Sequence, residues 1–164
     1  MSPANRPGKG ARIKVEPIRS LVDIGRIKTL LAGRPRDLTL FTMGINSPLR
    51  VSDLLALKLH QVGGLNSGEF LTIKEQRTGR RLKIGLNRAC CQAVAGLIRN
   101  LGLTPADRSW SGRYLFQSRR GEVLLASSVH RLVKSWCKHA GLIGNYGANS
   151  LRKTWGYHQF ATFG

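Results

Sequence analysis

The chain has 164 residues, 41% of them hydrophobic, enough for one buried core and one domain. Its 27 Lys+Arg against 8 Asp+Glu give a formal net charge of +19, which points to a polyanionic partner, with nucleic acid first. No apolar run approaches the ~20 residues needed to span a bilayer. The basic residues are spread over loops and helices rather than gathered on one amphipathic face, and the N-terminus lacks the apolar stretch of an export signal. Membrane binding and secretion are therefore set aside, and a cytoplasmic location is expected.

Residues 1–14 are rich in Pro, Gly and basic side chains and read as a disordered basic arm or linker ahead of a folded unit over 15–164. From Pro17 to Leu31 the positions Ile18, Leu21, Ile24, Ile27, Leu30 and Leu31 recur at helical spacing, and Gly33 and Pro35 end the run. A second helix is expected over Asp37–Ile45, stopped by Ser47-Pro48. Ser52 is the expected N-cap of a short helix with Leu54, Leu55 and Leu57 on its apolar face, so Arg50 falls on the turn between two buried helices.

Phe70–Ile73 and Leu82–Ile84 flank the polar Arg77-Thr78-Gly79-Arg80, the pattern of a basic β hairpin. Helical spacing returns from Arg88 to Leu101 through Cys90, Val94 and Leu97, and Tyr114-Leu115-Phe116 forms a short apolar segment. Ser127 or Ser128 is the expected cap of a helix whose stripe is Val129, Leu132, Val133, Trp136 and Ala140, closed by Gly141. The last helix is expected to start near Asn149 and run through Leu151, Trp155 and Tyr157 to Phe160, with Tyr157 packed inward. The fold class is α+β, mainly α, with a small β hairpin or three-stranded sheet.

Arg50 and Arg152 both stand beside helix starts. An arginine offers a planar fork of donors and stays charged at any physiological pH, so two converging forks suit a phosphodiester. Cys90, Cys91 and Cys137 have neither disulfide nor CxxC spacing and read as small core residues. His60, His130, His139 and His158 are dispersed, and no metal site is expected.

The order of these motifs is specific where each alone is weak: the Pro48-Leu49-Arg50 turn, the Ser52-Asp53-Leu54-Leu55 helix, the hairpin with Thr78-Gly79, Tyr114-Leu115-Phe116 followed by Ser118, and Leu151-Arg152-Lys153-Thr154. Together they resemble the catalytic domain of the tyrosine recombinase, or phage integrase, family, over roughly Val15 to Gly164. The resemblance implies a helical catalytic domain that performs site-specific DNA recombination or integration by phosphodiester transesterification. It also implies a 3′-phosphotyrosyl intermediate, no cofactor, and a tetramer on DNA for a complete protein, with this chain alone expected as a monomer. By the same resemblance Arg50 and Arg152 grip the scissile phosphate, and Arg77 and Asn149 stand at the family's hairpin-lysine and histidine positions. Lys74, Arg80, Arg81, Lys83 and Lys153 are expected DNA contacts.

The departures are chemical. Arg77 holds its proton too tightly to be a good acid, which leaves Lys74 or Lys83 as alternative donors. Asn149 can donate a hydrogen bond but cannot exchange a proton, and at a helix start it is expected to cap the backbone of 150–152. The family's third motif and its nucleophilic tyrosine fall beyond the position matching Gly164. Tyr157 lies about 140° round the helix from Arg152, and Tyr114 and Tyr146 have no motif support. A catalytically inactive DNA-binding remnant of an integrase and an unrelated RNA-binding protein are the alternatives.

Overall fold

The computed structural model describes residues 14–104, 110 and 112–163; of the arm expected over 1–14, only Lys14 lies within that range. The first helix, α1 (Leu21–Leu30), begins later than the spacing predicts, because Ser20 accepts from the Asp23 N–H and caps it. Pro17 to Ser20 stay outside the helix, although Ile18 is fully buried. The second, α2 (Pro35–Ile45), starts two residues earlier than expected, with Pro35 in the first turn, where its missing N–H costs nothing.

The short α3 (Val51–Ala56) is capped by Arg50 and α6 (Ala126–His139) by Leu125, each without a side-chain cap bond. Ser52, Ser127 and Ser128 therefore lie inside their helices rather than at the caps. One turn of helix that the apolar pattern was too brief to signal, α4 (Leu59–Val62), follows α3. Strands β1 (Phe70–Lys74) and β2 (Arg81–Gly85) pair antiparallel with Leu71 opposite Ile84, and the sheet has two strands, not three. Tyr114 instead forms an isolated bridge with Lys58. The remaining helices are α5 (Arg88–Asn100), capped by the Asn87 side chain on the Cys90 N–H, and α7 (Ala148–Phe163).

The core is continuous from α1 through α2 to α6 and is crossed by Phe41 and Trp136, whose rings meet edge to face at 6.1 Å. Helix α2 packs on α3, α5 and α7. Its crossing with α7 runs through Gly44, where an added β-carbon would stand 2.7 Å from Leu151 Cδ1. That close approach brings Arg152, the next residue on α7, alongside the α2–α3 turn that carries Arg50. Cys90 and Cys137 are buried in the core and Cys91 is half-buried.

Candidate nucleic-acid interface

Arg50, Asn149, Arg152 and Lys153 line one open cleft of about 640 Å³ between the start of α3, the start of α6 and the first turns of α7. Val51, Ala126, Ala148 and Trp155 supply its apolar part, and no acidic side chain lines it. Arg152 donates from Nε to the Pro48 carbonyl at 2.9 Å, which fixes the stem against the turn and leaves the outer guanidinium nitrogens for a ligand. Arg50 Nε is buried and has no acceptor among the described residues. A buried guanidinium donor without a partner costs desolvation energy, so the fold holds the Arg50 cation beside the cleft at a cost to its own stability. The α7 N-terminus adds the partial positive charge of its helix dipole on the same side.

The long α7 is strapped from behind by the segment that enters the fold. Thr154 Oγ1 accepts from the Ile18 N–H at 2.9 Å and donates to the Ser150 carbonyl, His158 Nε2 lies 3.0 Å from the Ile18 carbonyl, and Lys153 Nζ donates to the Val15 carbonyl at 2.9 Å. Lys153 thus borders the cleft while already holding a backbone oxygen.

Asn149 is not the cap the sequence suggested. It sits one residue inside α7 and is exposed, and its side chain has no hydrogen-bond partner among the described residues. The cap work falls to Ser150, whose Oγ accepts from the Gly147 N–H at 3.0 Å, and to His130, whose Nδ1 lies 3.2 Å from the Ala148 N. Tyr157 is also corrected: it is 41% exposed, lies edge-on to His158 and has Arg19 over its ring. The Tyr146 phenol is pushed up by burial first and by Glu16 second, which disfavours the phenolate a nucleophile needs.

The hairpin cations stand apart from this cleft. Alternation along the strands puts Lys74, Arg81 and Lys83 on the exposed face with Phe70, and Arg77 and Arg80 are exposed on the turn. Lys83 is drawn over the Phe70 ring at 4.4 Å, away from the turn. Lys74 lies at the turn end of β1 and borders a second, smaller cleft with Asp53 and Gln76. Asp53, almost fully buried in the first turn of α3, accepts from the Gln76 N–H at 2.9 Å and ties the hairpin turn to the helix that Arg50 begins. Among the described residues no group of three or more His, Cys, Asp or Glu side chains could hold a metal ion.

Residues 13–160 match the model of the phage integrase family. The chain belongs to that family. It is 32% identical over 146 residues to a protein described as probable integrase/recombinase YoeC from Bacillus subtilis strain 168, covering 88% of this chain and 74% of that one. It is 31% identical over 122 residues to tyrosine recombinase XerC from Caldanaerobacter subterraneus subsp. tengcongensis, covering 74% of this chain and 32% of the relative. In fold it resembles XerA recombinase, with a TM-score of 0.73 at 17% identity over 93% of this chain and 54% of that one. It also resembles the lambda integrase catalytic core, with a TM-score of 0.67 at 17% identity over 92% of this chain and 85% of that one. This integrase-family chain thus spans about half of the XerA chain and a third of the XerC relative.

Within this integrase-family fold, sequence reasoning had paired Arg50 with Arg152 but passed over Asp53, His130 and Trp155. Asp53 did carry a signal, a lone carboxylate about one helical turn after the arginine and directly before the apolar Leu54 and Leu55. His130 and Trp155 carried none, because an isolated aromatic on a helix stripe reads as core.

Proposed function

We propose that this chain binds double-stranded DNA by closing Arg50 and Arg152 on one backbone phosphodiester. In a polypeptide that also supplies the tyrosine, the cleft then serves site-specific recombination or integration by transesterification. The observation that carries this reading is that Arg50 and an Arg152 already braced on Pro48 line one cleft whose lining includes no acidic side chain. A tyrosine phenol oxygen attacks phosphorus and gives up its proton, the bond to the 5′ oxygen breaks, that oxygen takes up a proton and leaves as a hydroxyl, and the 3′ phosphate becomes linked to the protein. The phosphorane in between gathers negative charge on its nonbridging oxygens, where a preorganised cation is worth roughly 3 kcal/mol of barrier. Asn149 donates to the same phosphate from the first turn of α7, and the hairpin cations Lys74, Arg77, Arg80, Arg81 and Lys83 follow the flanking backbone. Because the bond energy is kept in the phosphotyrosyl link, the scheme calls on neither ATP nor a metal.

A second reading, a DNA-binding remnant that no longer cleaves, is favoured by Arg77 at the exposed hairpin turn and by Asn149 in the cleft, neither of which moves a proton near neutral pH. Incubation of this chain, and of a version extended by a segment that supplies the tyrosine, with nicked duplex DNA separates the two on a denaturing gel. A covalent protein–DNA band from the extended version, lost in Arg50→Ala and Arg152→Ala, supports the recombinase reading. Duplex binding without a band from either version supports the remnant. Duplex binding that is unchanged in both arginine variants refutes the clamp.

A further inference from the structure

The first turn of α7 is held from outside its own helix. His130 lies one turn after Ala126 on the face of α6 that meets α7, and its Nδ1 is placed to accept the Ala148 N–H at 3.2 Å. The ring fits so closely against the chain that a β-carbon on Gly147 would collide with its Cε1 and Nδ1, and glycine at 147 is what admits it. Ser150 meanwhile accepts the Gly147 N–H, and its own N–H returns to the Gly147 carbonyl at 2.9 Å. Helix starts leave several amides without intrahelical partners, and a side chain within the first turn commonly takes one. Here Ser150 and His130 do that work on the Gly147 and Ala148 amides, and Asn149, the next residue, has a carboxamide with no protein partner among the described residues on the wall of the arginine cleft.

We infer that His130 is a positioning residue of the phosphate site: as an acceptor for the Ala148 amide it fixes the first turn of α7, so that the Asn149 carboxamide is presented to the phosphate held by Arg152. This inference rests on the clamp proposed above and deepens it. An acceptor at the Nδ1 place is what matters, so His130→Asn, whose side-chain oxygen reaches about as far, should keep the function. His130→Gln, which carries its acceptor farther out, should not.

The test uses this chain and a short fluorescent DNA duplex, with affinity read by anisotropy, Ala148 amide exchange by NMR and folding by thermal melting. His130→Gln should speed Ala148 exchange and weaken duplex binding by about tenfold, the scale of one lost hydrogen bond to a charged group. His130→Asn should restore most of that affinity. In an Asn149→Ala background, His130→Gln should cost little more, since its effect runs through Asn149. If His130→Gln lowers the melting temperature but binds duplex as the wild type does, or if its penalty persists in full without Asn149, the inference falls while the clamp stands. If Arg50→Ala and Arg152→Ala bind normally, the clamp itself falls. Should His130→Gln fail to fold, His130→Ala is carried through the same cycle: a binding penalty that disappears in the Asn149→Ala background supports the inference, and a penalty that persists there, or wild-type affinity for Asn149→Ala, overturns it.

Discussion

The two cationic regions of this molecule are held in opposite ways. Arg50 and Arg152 stand on helix starts locked by the core: Arg152 is braced on Pro48, α7 crosses α2 at Gly44, and Thr154 and His158 pin the same helix to Ile18. The hairpin is packed through Leu71, Ile73 and Ile84, but among the described residues its cationic tip over 76–80 is tied to the rest of the fold by one hydrogen bond, from Gln76 to Asp53. Charges aimed by buried contacts can stabilise a fixed point of developing charge, because they pay no reorganisation at the moment of reaction. Charges on an exposed turn suit a backbone whose path varies.

The contrast can be broken from the clamp side first. In the extended polypeptide, Arg50→Ala or Arg152→Ala should lower the yield rate of covalent DNA product by at least about 100-fold, the loss typical of one preorganised donor, while circular dichroism stays native. Thr154→Val should remove the buried hydroxyl that serves Ile18 and Ser150, costing about 1–3 kcal/mol of stability, visible as a lower Tm. Duplex affinity should fall with it only as far as α7 loosens.

The hairpin side offers the finer cut. Asp53→Ala should free the turn, raise Gln76 amide exchange and slow cleavage by about tenfold, whereas Asp53→Asn, which keeps an acceptor, should lie near wild type. Equal defects in the two variants would show that the charge of Asp53, not its tether, is what counts.

The smallest effect is expected in the core that both regions share. Burial pushes the Cys90 and Cys137 thiols up to about 12, with the neighbouring Cys91 adding to the first and Asp23 to the second. An unfolded thiol ionises near 9, so between 9 and 12 the unfolded chain loses protons that the folded one keeps. Stability should hold below pH 9 and decline above it, and both thiols should resist alkylation at pH 8 until denaturant is added. Prompt labelling of all three cysteines in native buffer would contradict this packing.

Much of the architecture could be read along the chain because it is local. The apolar spacing of α5 and α6, the stop at Ser47-Pro48 and the Thr-Gly turn are written within a few residues of where they act, and the motif order carried the family. Where local signals competed, the sequence misled. Ser52, Ser127 and Ser128 look like caps, yet core packing of Val51 and Val129 sets those helices so that the serines fall inside them. Tyr157 continues an apolar pattern but faces outward, because α7 is held on its other side by Leu151 and Thr154.

By itself, then, the sequence determined a basic, mainly helical chain, its hairpin, and the two arginines at separate helix starts. Only the tertiary structure decided that these arginines share a cleft, that Asp53 ties the hairpin to Arg50's helix, and that His130 and Ser150 cap α7 in place of Asn149. The reason is range: helix periods and turn chemistry are set by neighbours three or four residues apart, whereas each of the deciding contacts, apart from the short Ser150 bond, joins residues 18 to 136 positions apart.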